Sequence, residues 1–150
     1  HEFVGVNSRL DSIQAAILDA KLPHLDEYIV ARQQAAAFYD QAFEGNPYLL
    51  IPAREKQSSH VFHQYTLRLV NTDRDALRAA LIEKGIPAMI YYPIPLHMQK
   101  AYNDPRYKKG DFPIAEKLAK CVLSLPMHTE LDQEQLTYIT QEVLNFVNNQ

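Results

Sequence analysis

The chain has 150 residues, 47% of them hydrophobic, enough to bury one core and to read as a single globular domain over residues 1–150. Its 15 basic and 18 acidic residues leave a formal charge of −3 with no long basic run, which argues against a nucleic-acid surface. No apolar run approaches the roughly 20 residues that span a bilayer, and the first residues do not read as a signal peptide.

Residues 5–16, Gly-Val-Asn-Ser-Arg-Leu-Asp-Ser-Ile-Gln-Ala-Ala, open with a polar, turn-prone segment that runs into a helical pattern. Leu10, Ile13, Ile17 and Ala20 form its apolar stripe, and the spacing predicts a helix from Leu10 to about Leu22. Asn7 offers two donors and an acceptor, and Arg9 offers a planar cationic fork. Two residues apart in a loop, the pair can converge on one anionic ligand such as a phosphate. The plainer alternative makes Asn7 a helix cap and Arg9 a surface partner for Asp11. Pro23 predicts a kink or restart, after which Leu25, Ile29, Ala36, Tyr39 and Phe43 mark a second amphipathic helix ended by Gly45-Asn46-Pro47.

Tyr48 to Ile51 reads as a short strand and residues 53–59 as a polar loop. Between 60 and 70, Val61, His63, Tyr65, Leu67 and Leu69 alternate with Phe62, Gln64, Thr66, Arg68 and Val70, the period of a central strand with two faces. Residues three apart on a strand point to opposite faces, so His60 and His63 do not form a metal pair, and His63 reads as a core or interface residue. Thr72 with Asp75 resembles a capping box, Leu77 and Leu81 repeat at helical spacing, and Gly85 sits where a helix C-terminal glycine belongs. Residues 86–91 read as a further strand.

Pro93 and Pro95 exclude a central strand and demand a fixed loop, prolonged by Asn103-Asp104-Pro105 and Lys108-Lys109-Gly110. Asp111 is the expected cap of a helix with Pro113 in its first turn and Ile114, Leu118 and Val122 as its stripe. Residues 122–125 are the last strand candidate, where the single cysteine, Cys121, flanked by apolar residues, reads as a small buried side chain. One cysteine cannot form an internal disulfide and fits a reducing cytoplasm. Asp132 is the expected cap of a final helix with Leu136, Ile139, Val143 and Phe146 inward. The fold class is α+β: a kinked N-terminal helical segment, then helices packed on a small, mainly antiparallel sheet, with more residues in helices than in strands.

Four blocks then stand out together: Gly5-x-Asn7-x-Arg9 with Leu10-Asp-x-Ile-Gln-Ala-Ala16, His60-Val-Phe-His-Gln-Tyr65, residues 85–99 around Tyr91-Tyr92-Pro93-x-Pro95-Leu-His97, and Leu123-Ser-Leu-Pro-Met-His128. In this order they resemble the C-terminal region of the pyridoxal-phosphate-dependent sugar-nucleotide aminotransferases, the DegT/DnrJ/EryC1/StrS family. The resemblance implies the small domain of a fold-type I transferase, and the abrupt start at His1-Glu2-Phe3-Val4 is read as a piece of a longer chain. The lysine that bonds the coenzyme, with its supporting carboxylate and aromatic ring, lies upstream in the family. This chain alone is therefore expected not to transaminate.

The resemblance also implies a homodimer with an active site shared between subunits. There Asn7 matches an asparagine that hydrogen-bonds the coenzyme phosphate across the interface, and Arg9 matches a residue that helps hold the nucleotide-sugar. Tyr91 and Tyr92 can present hydroxyls to a sugar or phosphate while their rings pack inward, or they are ordinary strand aromatics. Some members carry His-Tyr-Pro where this chain has Tyr91-Tyr92-Pro93, so Tyr92 keeps the pattern and Tyr91 departs from it. His97 is read as a rim residue of the substrate site. The implied reaction moves an amino group, from a donor such as glutamate, to a nucleotide-linked keto sugar for surface polysaccharide or amino-sugar synthesis, with a UDP-linked 3-keto sugar as the suggested branch. No catalytic residue and no metal is assigned within the chain. The competing reading is a non-catalytic module for ligand binding, dimerisation or regulation, since some members of the family were first described as regulators.

Overall fold

A computed structural model describes residues 2–149; His1 and Gln150, the two ends of the expected domain, lie outside the described residues. Helix α1 (Ser12–Lys21) passes through a 3-10 turn at Leu22–His24, where Pro23 interrupts the hydrogen-bond ladder, into helix α2 (Leu25–Phe43). Strands β1 (Leu49–Leu50), β2 (Tyr65–Leu69) and β3 (Val122–Leu125) form an antiparallel sheet in the order β1-β2-β3, so the strand expected at the centre is the central one. Helices α3 (Arg74–Glu83), α4 (Pro113–Cys121) and α5 (Gln133–Asn148) complete the α+β fold. Helical residues far outnumber strand residues, as expected.

The core gathers Ala35, Ala36, Tyr39 and Phe43 of α2, Tyr65, Leu67 and Leu69 of β2, Leu77 and Leu81 of α3, Leu123 and Leu125 of β3, and the inner face of α5. Tyr39 lies 4.9 Å from Tyr65 between ring centroids, and its hydroxyl donates to the Pro126 carbonyl at 2.9 Å, so the buried phenol is satisfied. Arg32 ties the loops to α2: its Nη1 donates to the carbonyls of Phe62, His63 and Met127 at 3.0, 3.3 and 3.2 Å. Arg32 is half-buried in this clamp, a set of contacts that helical periodicity does not reveal.

Two helix boundaries follow the sequence closely. Asp132 accepts from the Gln135 N–H while the Gln135 side chain accepts from the Asp132 N–H, a reciprocal capping box. At the end of α3, Gly85 takes φ +76° and the Ile86 N–H reaches back to the Leu81 carbonyl at 2.8 Å, a Schellman ending that favours glycine.

Other boundaries differ. Helix α1 begins at Ser12 rather than Leu10, because Asp11 holds an extended conformation and accepts from the Gln14 N–H. Asp73, not Thr72, caps α3, accepting from Asp75 and Ala76, while the Thr72 hydroxyl turns back to the Val70 carbonyl. Asp111 does not cap α4; its carboxylate closes a turn by accepting from the Lys108 N–H. Ile114 is 75% exposed, so the expected stripe of α4 fails at its first member. Cys121 is half-buried.

The expected strand over 60–70 is only Tyr65–Leu69. Phe62 takes φ +49°, which breaks the alternation and buries Phe62 while Val61 and His63 stay exposed. His63 is accordingly not a core residue of the chain. The expected strand over 86–91 shrinks to one bridge, Met89 to Ser124, since Pro87 has no N–H to offer a ladder.

Candidate functional site

Residues 2–11, ahead of α1, are exposed, and both plain explanations of their polar pair fail. The helix cap is Asp11, with Oδ1 2.8 Å from the Gln14 nitrogen, so Asn7 is not the cap. Among the described residues neither Asn7 nor Arg9 makes a side-chain hydrogen bond or ion pair, so Arg9 does not pair with Asp11. An amide and a guanidinium thus stand two residues apart on an exposed segment, with their hydrogen-bonding capacity unused. Phe3, on the same segment, lies under the Lys100 ammonium at 5.8 Å, a contact with the proline-braced loop.

That loop, residues 92–112, builds the second part of the site. Tyr91 and Tyr92 precede it, joined by a cis peptide, with ring centroids 5.6 Å apart and planes at 75°. They are not strand aromatics, because pairing ends at Met89. Both line a cavity of about 490 Å³, walled by Ile94 and Leu96 on the loop and by Ala115, Leu118 and Ala119 on α4. Tyr92 is 64% exposed, so its hydroxyl stands available to a bound molecule. Small alanines on one face of α4 leave the room, and the apolar wall disfavours water.

His97 is not at an open rim. Its side chain is 8% exposed, packs on Phe112 at 4.8 Å, and places Nε2 3.1 Å from Glu116 Oε1. The same carboxylate oxygen accepts from the Gly110 N–H at 2.6 Å. The Gly110 N–H, with His97 adding to it, holds the Glu116 carboxyl below the usual carboxylate range against the opposing effect of burial. Glu116 therefore latches both ends of the loop to α4. Sequence reasoning missed it; the available signal was an acidic residue in the first turn of a helix opened by Pro113, where a carboxylate is electrostatically favoured.

The two cavity tyrosines and His97 are thus brought together, with Leu96 and Ala115 shared between their neighbouring cavities. Among the described residues no hydrogen bond or ion pair joins Asn7 or Arg9 to that cluster. Elsewhere, Tyr65 donates to Asp40 at 2.7 Å, and Arg54 pairs with the other oxygen of Asp40 while lying over Phe62. Burial, reinforced by Asp40, pushes the Tyr65 phenol well above its ordinary value. His60 accepts from the Phe62 N–H through Nδ1, and among the described residues no cluster of three or more His, Cys, Asp or Glu side chains is placed to hold a metal.

All eight lysines are exposed, so this chain offers no desolvated amine to an aldehyde coenzyme. The exposed amide of Asn7 and guanidinium of Arg9 are of a chemistry that can donate to an anionic group. Among the described residues no helix is long and apolar enough to cross a membrane.

Comparison with known proteins gives this geometry a setting. The chain is 45% identical over 148 residues to a "pleiotropic regulatory protein" of Geobacillus stearothermophilus, covering 97% of the chain and 39% of that protein. It is also 45% identical over 139 residues to the UDP-N-acetyl-3-dehydro-alpha-D-glucosamine 3-aminotransferase of Acidithiobacillus ferrooxidans, covering 93% of the chain and 36% of the relative. The crystal structure of S. venezuelae DesV superposes with a TM-score of 0.86 at 36% identity, over 97% of this chain and 38% of that one. The chain thus spans less than two fifths of the length of these relatives. A family model matches residues 1–144, and the chain belongs to the DegT/DnrJ/EryC1/StrS aminotransferase family.

Proposed function

We propose that this chain is the C-terminal small domain of a dimeric pyridoxal-phosphate-dependent aminotransferase that transfers an amino group to a nucleotide-linked keto sugar. The observation that carries the reading is the exposed Asn7 and Arg9 pair, freed from capping and ion pairing, in a chain of this family. Asn7 donates its amide N–H to the coenzyme phosphate of the neighbouring subunit, and the Arg9 fork holds the anionic nucleotide-sugar. Tyr91 and Tyr92 direct hydroxyls to the sugar from the 490 Å³ cavity, whose apolar wall excludes water. His97, tied to Glu116, fixes the loop that places them and contributes to the substrate site in that way. When bound, the coenzyme supplies the electron sink that lets the amino group pass from donor to keto sugar.

The coenzyme-bonding lysine belongs to an upstream large domain, and the amino donor is an amino acid such as glutamate. A UDP-linked 3-keto sugar is the substrate class, in line with the Acidithiobacillus relative, whose name specifies a UDP-linked 3-dehydro sugar. The product serves surface polysaccharide or amino-sugar synthesis in the cytoplasm. A second reading, a non-catalytic regulatory module, is favoured by one observation, the regulatory name of the Geobacillus relative.

Borohydride trapping on the full-length gene product separates the two. The aminotransferase reading expects coenzyme reduced onto a lysine upstream of His1 and amination of a UDP-3-keto sugar. A full-length product that traps no coenzyme leaves the regulatory reading standing.

A further inference from the structure

Helix α1 carries two apolar stripes rather than one. At about 100° per residue, Ile13 and Ile17 share one side of it, with Ala16 and Ala20 beside them, while Leu18 and Leu22 fall roughly 140° further round, next to Ala15. Gln14 and Lys21 separate the stripes along one edge, and Ser12 and Asp19 along the other. No residue of α1 is buried, and Ile13, Ile17, Leu18 and Leu22 are 52–76% exposed. A helix resting on a body needs one apolar stripe; a helix apolar on opposite sides is built to be covered on both.

The bare surface continues to the root of the helix. At the elbow made by Pro23 lies a cavity of about 440 Å³ lined by Lys21, Leu25, Tyr28, Ile29, Val61 and His63, with Leu25 and Val61 nearly half exposed. Arg32, which also lines it, holds the Phe62 and His63 carbonyls, so this wall is fixed. An apolar surface that continues from a helix into a cavity at its root marks a face with a partner.

Two occupants differ in what they can cover. A second copy related by a two-fold axis sets α1 against its own counterpart, which covers one stripe and leaves the opposite one bare. A groove in a single larger body covers both. Such a body exists in length: this chain spans 39% and 36% of the two relatives at 45% identity, so about three fifths of each lies outside the match. We infer that α1 lies in an apolar groove of the upstream domain of its own chain, which closes on both stripes and extends over the elbow cavity. The inference rests on the reading that such a domain precedes this one, and it moves the structural boundary between the two to Leu22–His24, behind α1. Held in this way, α1 is a fixed mount from which residues 2–11 carry Asn7 and Arg9 to the neighbouring subunit.

The test is amide hydrogen exchange on the full-length protein, read over residues 12–22, with molar mass by light scattering on the same samples. A lone helix of 10 residues is marginal in water, so the groove is expected to slow α1 exchange at least about a hundredfold below that of an uncovered helix. Ile17→Asp and Leu18→Asp, one on each stripe, are each expected to speed that exchange at least about tenfold, with α5 protection and molar mass unchanged. Where an aspartate variant loses α5 protection as well, Ile17→Ala and Leu18→Ala, which keep the helix and remove only apolar contact, decide by the same comparison. Fast α1 exchange in the unaltered protein overturns the groove, and so does a response confined to one stripe. Protection that disappears when a dimer is diluted to monomer also overturns it and assigns the face to a second copy. Fast α1 exchange in a protein that traps coenzyme on an upstream lysine removes the groove alone. Slow exchange that depends on both stripes, in a protein that traps no coenzyme, upholds the groove and removes the aminotransferase reading instead.

Discussion

Helices α1 and α5 carry the same kind of sequence signal and meet opposite fates. Both are capped by an aspartate, Asp11 and Asp132, and both repeat isoleucine, leucine or valine at helical spacing. Helix α5 buries Leu136, Ile139, Thr140, Val143 and Val147, whereas α1 has no buried residue and leaves Ile13 76% exposed. Periodicity specifies which face of a helix is apolar; it does not specify what covers that face. The body of the domain covers its apolar faces from within the chain, whereas the N-terminal arm leaves its own exposed.

The largest effect expected from this contrast compares one residue type in both helices. Ile139→Ala is expected to destabilise the chain by about 3 kcal/mol, whereas Ile13→Ala changes it by less than about 0.5 kcal/mol. Urea unfolding measures both, and similar losses would show that α1 is packed. A smaller difference separates the caps. Asp132→Ala is expected to cost about 1 kcal/mol of global stability. Asp11→Ala is expected to fray α1 alone, visible as lost amide protection at Gln14 with an unchanged unfolding midpoint.

Within the body, pH sharpens the contrast further. The Tyr65 phenol is raised by burial and by Asp40, so the folded state favours its protonated form. That contribution is complete below the ordinary phenol value of about 10 and is lost as pH rises beyond it. The unfolding midpoint is therefore expected to fall above that pH, with a shallower fall in Tyr65→Phe. The smallest effect is local and acidic. Glu116 is depressed in the folded state, so its contribution is present above the ordinary carboxylate range and is lost as pH falls through the folded value. Amide protection at Gly110 is expected to drop in acid, and in Glu116→Gln to be low and nearly independent of pH.

Much of the body was legible because its signals are local. The Asp132 cap, the glycine after α3 and the alternation at Tyr65, Leu67 and Leu69 each follow from a few neighbouring residues. What sequence missed depends on contacts far apart in the chain: the Arg32 clamp on Phe62, His63 and Met127, and the His97–Glu116 latch. The positive φ of Phe62, which shortens β2, has no signature in residue type, since glycine or asparagine is the usual occupant. For the site, residue types and motif order pointed to Asn7, Arg9, Tyr91, Tyr92 and His97. The structure added the cavity, the latch and the absence of any cap or ion-pair role for Asn7 and Arg9 among the described residues.

The central proposal, that the arm serves a neighbouring subunit, is tested most directly by complementation between full-length subunits. One subunit carries Asn7→Ala and the other lacks the upstream coenzyme-bonding lysine. Each is expected to be deficient alone, and their mixture is expected to regain coenzyme retention and turnover at the one site that pairs an intact lysine with an intact Asn7. An Asn7→Ala protein that retains the coenzyme as the unaltered protein does, or a mixture no better than its parts, would contradict the account.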